Sequence, residues 1–198
     1  SLKLNSSETV GSLSGDGLVN LQVNALTIGG SFNTLYSGVM SGTGSLTHNG
    51  TGSLTLSGVN TFSGGVTVSG GTVFAGDNAA FGSGTIAVNG ATVASDSTTN
   101  RTFTNAYSFG GLVTLGTLGG GALTFSGNGS LTSNATLTTL SDVILSGPLG
   151  GGFNLTKAGA AALTLSGTNT FTGGATLNAG PVYVCLLYTS DAADDTPC

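Results

Sequence analysis

Apolar and polar residues alternate along this chain in short runs, each closed by Gly or Asn. The clearest are Leu54-Thr55-Leu56-Ser57-Gly58, Val66-Thr67-Val68-Ser69-Gly70, Thr85-Ile86-Ala87-Val88-Asn89-Gly90, Leu123-Thr124-Phe125-Ser126-Gly127 and Leu163-Thr164-Leu165-Ser166-Gly167. A period of two on aliphatic and β-branched residues is the pattern of a half-buried strand, one side toward a core and the other toward water. The closing Gly and Asn accept positive φ at low cost, so each run is expected to end in a tight turn. Strand signals recur about every 8–12 residues, the spacing of an all-β fold. No stretch shows helical periodicity or a capping box ahead of an apolar run.

The runs belong to a longer internal repeat. Leu54-Thr55-Leu56-Ser57-Gly58-Val59-Asn60-Thr61-Phe62-Ser63-Gly64-Gly65 returns 109 residues later as Leu163-Thr164-Leu165-Ser166-Gly167-Thr168-Asn169-Thr170-Phe171-Thr172-Gly173-Gly174. Over the 33 aligned positions from 41 to 73, 17 are identical without a gap. Upstream, Ser37-Gly38-Val39-Met40-Ser41-Gly42 aligns with Asp142-Val143-Ile144-Leu145-Ser146-Gly147, and the later copy then carries four extra residues within 148–153. Short strands, tight turns and repetition favour a solenoid, in which no coil buries its apolar side alone and stacked coils share one core. Leu, Val, Ile and Phe are expected inside, with Thr and Ser outside.

The segment Leu155-Thr156-Lys157-Ala158-Gly159, followed by 163–180, resembles the autotransporter-associated β-strand repeat, also called the passenger-associated transport repeat. The first copy has His48 where that family usually has Lys. Segments 11–30 and 109–127 resemble the strands that precede such repeats, so the resemblance covers most of 8–184. It implies a right-handed parallel β-helix, incomplete at both ends, within the exported passenger of a bacterial type V secretion protein. The repeat region is assigned to 1–184, with copies near 37–73 and 142–182. Ala160-Ala161-Ala162 departs from the usual Gly-Thr, and Pro181 stands for the usual Thr; both bear only on local register.

Composition fits that expectation. Gly, Ser, Thr and Asn supply 106 of 198 residues. Charged residues are 6% of the chain, against roughly 25% in ordinary soluble domains. Stacked like charges repel, so neutral polar residues suit the outside of a solenoid. Lys3, Arg101 and Lys157 are the whole basic inventory, too few for the basic stripe that nucleic acid requires. No apolar run approaches the ~20 residues of a membrane-spanning helix. Mean hydropathy of +0.34 and a net charge of −5 argue against charge-driven disorder.

The ends carry their own expectations. The chain opens on Ser1 without a signal-peptide pattern and is expected to be a fragment. From Cys185 onward the composition changes: residues 185–198 hold both Cys, three of the eight acids and no Gly. The stretch Cys185-Leu186-Leu187-Tyr188-Thr189-Ser190-Asp191-Ala192-Ala193-Asp194 equals the translation of a common transposase sequencing adapter, and Asp195 is compatible with its next codon. Residues 185–198 are therefore expected to be an unstructured assembly artefact, and Cys185 and Cys198 are not read as a disulfide. Without them Glu8, Asp16, Asp77, Asp96 and Asp142 face three bases, which leaves a nearly neutral chain.

No residue is assigned as catalytic, cofactor-binding or metal-binding, and no cofactor is expected. His48 is the single imidazole, with no Asp near it in sequence, and is expected at the surface. The five acids are dispersed, and Arg101 is the single Arg, so the paired carboxylates of glycan-cleaving β-helices are not apparent. Ala75-Gly76-Asp77-Asn78 lacks the repeated paired glycines of calcium-binding β-rolls. Gly119-Gly120-Gly121 and Gly150-Gly151-Gly152 lack the Lys-Ser/Thr of a phosphate loop and are read as turns. Asn-x-Ser/Thr at Asn5, Asn49, Asn100, Asn128, Asn134 and Asn154 follows from composition, and Thr136-Leu137-Thr138 is too isolated for an ice-binding ladder. The chain is read as non-enzymatic: a structural stalk segment supporting export and surface display. The resemblance implies a cell-surface or secreted location and, as partner, the protein's own outer-membrane β-barrel translocator. The alternative is an adhesin-like module whose flank contacts glycans or host proteins.

Overall fold

The computed structural model describes residues 1–184, and within them the chain is all β-strand and turn. The expectations for 185–198, including those on Cys185 and Cys198, lie outside the described residues. Strands pair in parallel throughout, and they stack as a β-solenoid of about nine turns. All-β was legible in the period of two and the solenoid in the internal repeat, and the parallel pairing is what the family resemblance implies.

Each coil contributes to three faces. The first carries Leu2–Lys3, Val19–Asn20 and Met40–Ser41, then Arg101–Phe103, Leu123–Phe125, Val143–Leu145, Leu163–Leu165 and Val182–Val184. Between these two runs the column continues through residues 60–62 and 80–81. Thr61 N donates to Met40 O at 2.8 Å, Asn60 Nδ2 donates to Ala80 O at 2.7 Å, and the Phe81 and Phe103 rings stack at 5.0 Å. The second face runs through Glu8–Val10, Leu26–Ile28, Leu46–His48, Val66–Val68 and Ile86–Asn89. The third runs through Thr34–Tyr36, Ser53–Leu56, Thr72–Ala75 and Thr92–Ser95. Two longer strands, Tyr107–Leu115 and Gly129–Thr139, then turn the corner and belong to both, with a register irregularity between Phe109 and Gly111. Leu149–Gly150 continues the second face, while Leu155–Ala158 and Ala175–Leu177 continue the third.

Alternation sets what each strand buries. In Leu46–His48 the outer two residues point inward and Thr47 outward. Inward positions stack as Leu26, Leu46, Val66 and Ile86, all buried. Outward positions stack as Thr9, Thr27, Thr47 and Thr67. Phe81, Phe103 and Phe125 form an axial pile, with Phe103 to Phe125 at 5.2 Å, and Tyr107 packs beside Phe109 of its own strand at 5.0 Å. Such pairs add roughly 0.5–1.5 kcal/mol each beyond their buried area.

The Gly that closes most runs has a different task from the one expected. Of Gly58, Gly70, Gly90, Gly127 and Gly167, only Gly90 has positive φ, at 69°. At Gly58 an added Cβ would lie 2.0 Å from Gly38 O, and at Gly167 it would lie 2.2 Å from Gly147 O. These glycines therefore let one coil's backbone approach the next at a corner; they do not supply a left-handed turn.

The two sequence copies are out of phase with the coil. Leu46 of the first copy lies on the second face, stacked on Val66. Its counterpart Leu155 lies on the third face, stacked on Ala135 and Ala175. The upstream segments, by contrast, both lie on the first face, in Met40–Ser41 and Val143–Leu145. The four extra residues within 148–153 separate these two alignments. They include Leu149–Gly150, which takes a place on the second face before the later copy begins. The second copy is thus turned by one face, about a third of a turn, relative to the first.

Candidate functional site

The aliphatic, Asn and Phe side chains shared by the two copies point inward or bind coil to coil, while the shared Thr and Ser face outward. Leu54, Leu56 and Phe62 are wholly buried in the first copy, and Leu163 and Leu165 are buried in the second. Asn60 lies within the core at 3% exposure. Its Oδ1 accepts from Met40 N at 2.7 Å, and its Nδ2 donates to Ala80 O. One amide thereby bridges the coil below to the coil above, satisfying groups that a corner would otherwise leave unpaired. Asn169, the counterpart, accepts from Leu149 N at 3.0 Å. The order Leu-Thr-Leu-Ser-Gly-x-Asn-Thr-Phe thus encodes two inward aliphatics, a close-approach glycine, an intercoil clamp and an inward ring.

His48 does not lie at the surface. It is 1% exposed, as is its counterpart Lys157. Alternation explains this: each residue stands two positions after an inward Leu, so it faces the core. Lys157 Nζ donates to Ala158 O and Gly159 O at 2.8 Å and to Ala179 O at 3.0 Å. All three of its N–H groups are satisfied by turn carbonyls. Burial holds its amine below the ordinary lysine range. His48 Nε2 lies 3.1 Å from Gly52 O, while Nδ1 is buried without a partner. A carbonyl only accepts, so Nε2 carries the proton in the neutral ring. Gly71 and Gly180 face these side chains across the corner, both with positive φ, at 53° and 74°. The pair is therefore a polar plug under a turn. The period-two position was the sequence signal for it, masked by the polarity of the side chain.

Most of the dispersed acids serve the backbone or a neighbour. Arg101 Nη2 donates to Asp96 Oδ1 at 2.9 Å, and Arg101 Nε donates to Ala75 O at 3.0 Å. Asp77 Oδ1 accepts from Ala79 N, and Asp142 Oδ1 accepts from Ala162 N on the next coil. Glu8 Oε1 accepts from Ser6 Oγ at 2.6 Å. Among the described residues no group of three or more His, Cys, Asp or Glu is placed to hold a metal ion. Gly119 and Gly120 lie in a turn, whereas Gly150 ends the short strand Leu149–Gly150. Thr136 and Thr138 both point outward, but the next coil offers Thr156 and Ala158 opposite them.

An apolar cavity of about 680 Å³ opens at the last described coil, lined by Leu155, Leu163, Leu165, Phe171, Val182 and Val184. These are the inward positions of the stack, so the cavity continues the core column. A polar groove of about 470 Å³ lies between the Gly119-Gly120-Gly121 turn and Asp142.

Two segments, 46–73 and 155–181, match the passenger-associated-transport-repeat family. They coincide with the copies built around His48 and Lys157. No curated protein and no solved structure matches the chain.

Proposed function

We propose, proceeding from the two passenger-associated transport repeats carried in this chain, that it is a stalk segment of an autotransporter passenger. It supports export through its own outer-membrane translocator and then holds other parts of the protein away from the cell. The observation that carries this reading is the phase of the two copies. Their shared aliphatic, Asn and Phe side chains are inward or bridge coils, and the copies lie a third of a turn apart, so the outward Thr and Ser they also share fall on different faces and build no common flank. A repeated unit that contributes to the core and not to one flank is doing mechanical work: each coil, once folded, is a template for the next and resists being drawn back. A non-enzymatic role is supported by the engagement of Glu8, Asp77, Asp96 and Asp142 with neighbouring groups.

The test uses the full-length protein with Leu56→Asp and Leu165→Asp together. Each places a charge at a buried site, which disrupts the stack. Surface display and protease resistance of the passenger are expected to fall sharply. Unchanged display and resistance would overturn the reading.

One observation favours a second reading, the adhesin-like module. Leu18, Val39 and Val59 follow the stacked glycines Gly17, Gly38 and Gly58 on adjacent coils. Leu18 is 59% and Val59 56% exposed, and a contiguous apolar ridge of this kind marks binding surfaces. Glycan-array binding by the recombinant chain that Leu18→Ser and Val59→Ser abolish would establish this reading.

A further inference from the structure

We infer that the Asn89-Gly90 corner is a self-modification site, where the chain converts its own asparagine to aspartate and isoaspartate. Asn-Gly occurs three times, at Asn49-Gly50, Asn89-Gly90 and Asn128-Gly129. In the reaction the Gly backbone nitrogen attacks the Asn Cγ and loses its proton. Ammonia leaves, and a five-membered succinimide closes. Water then opens either carbonyl: one opening gives aspartate, the other isoaspartate with the main chain routed through Cβ. The co-reactant is water alone, and no electrons are transferred.

Selectivity comes from the attacking nitrogen. Gly129 N donates to Pro148 O at 2.8 Å and lies in the strand Gly129–Thr139, against the Tyr107 ring. Gly50 N donates to Ile28 O at 3.2 Å, and Gly50 is buried, with Gly30 O where a Cβ would be. Both nitrogens are tied to a neighbouring coil and are free to react only when the coil opens locally. At the third site Gly90 N donates to no acceptor among the described residues, and Asn89 and Gly90 are both exposed. Gly90 sits at φ 69° with nothing within 4 Å of where a Cβ would be, so no neighbouring coil crowds the residue that supplies the attacking nitrogen. The Asn89 side chain lies over the Gly110-Gly111 corner, where its Oδ1 is 2.9 Å from the Cβ position of Gly111. Conversion therefore places a new negative charge at the corner between the second and third faces.

The experiment incubates the folded chain at mildly alkaline pH and follows the three asparagines by peptide mapping and mass spectrometry. A parallel sample is unfolded in urea. In the folded chain Asn89 is expected to convert at least roughly tenfold faster than Asn49 and Asn128, which must wait for local opening. In urea the three rates are expected to converge, and Asn89→Gln should remove the fast phase from the folded chain. Comparable rates at all three sites in the folded chain would overturn the inference. So would an Asn89 that stays intact while the unfolded chain converts.

Discussion

Lys157 shows how a charged side chain is accommodated in a core of Leu and Phe. Three carbonyls receive its three N–H groups, so replacing it with Met leaves buried acceptors without donors. Lys157→Met is expected to cost about 1–3 kcal/mol, measured by denaturant unfolding. The pH dependence has a definite sign. Burial depresses the Lys157 amine, so the unfolded chain binds more protons between the folded value and about 10.4, and stability rises with pH across that window. Tyr36 and Tyr107 are shifted upward by burial, so their contribution is complete below about pH 10 and is lost as pH rises beyond it. Folding free energy followed from neutral to strongly alkaline pH should therefore climb and then fall. Lys157→Met should remove the climb. Tyr107→Phe should delay the fall and, because the Tyr107 hydroxyl is buried without a partner, raise neutral-pH stability by about 1 kcal/mol.

The strands and their corners obey different constraints, and this decides what alanine does at a glycine. Gly58→Ala drives a Cβ into Gly38 O and is expected to cost about 1–3 kcal/mol. Gly90→Ala meets no atom, and its cost is the left-handed backbone alone, about 1–2 kcal/mol. Thermal unfolding of both variants, with crystallography of Gly58→Ala to find a displaced Gly38, separates the two mechanisms. The same division explains what was legible in the sequence. The strands Ser53–Leu56, Val66–Val68, Ile86–Asn89, Leu123–Phe125 and Leu163–Leu165 follow from alternation, because a period of two is a property of the strand alone. The corners are not legible, because a glycine carries no side chain to tell close approach from positive φ. At His48 polarity points outward while the period-two phase points inward, and the phase wins. Tyr107–Leu115 and Gly129–Thr139 run through a corner, and nothing in alternation says where one face yields to the next. The function was legible only through the repeat: a motif that works by packing coils leaves no cluster of reactive groups to find.

For the whole molecule, the unit of architecture is the coil. Val66 pairs with Leu46 and Ile86 pairs with Val66, and over this stretch bonded positions on neighbouring coils lie 20 residues apart. Deleting residues 66–85 should therefore bring Ile86 onto Leu46, Val93 onto Leu54 and Phe103 onto the Phe62 position, with every inward side chain still inward. That variant is expected to fold, with β-sheet circular dichroism and a lower unfolding midpoint. Deleting residues 66–75 removes half a coil, displaces each later strand from its face and is expected to abolish cooperative unfolding.

The mismatch between sequence copy and coil reaches beyond stability. Each coil advances the axis by about 4.8 Å, so a segment of whole coils changes reach alone. A segment ending a third of a coil further on also swings everything distal to it around the axis by about a third of a rotation. Because the motif folds on either the second or the third face, recombination between copies need not respect coil boundaries. A lineage of such chains can therefore alter the length of the rod and the direction in which its far end points by one and the same genetic event.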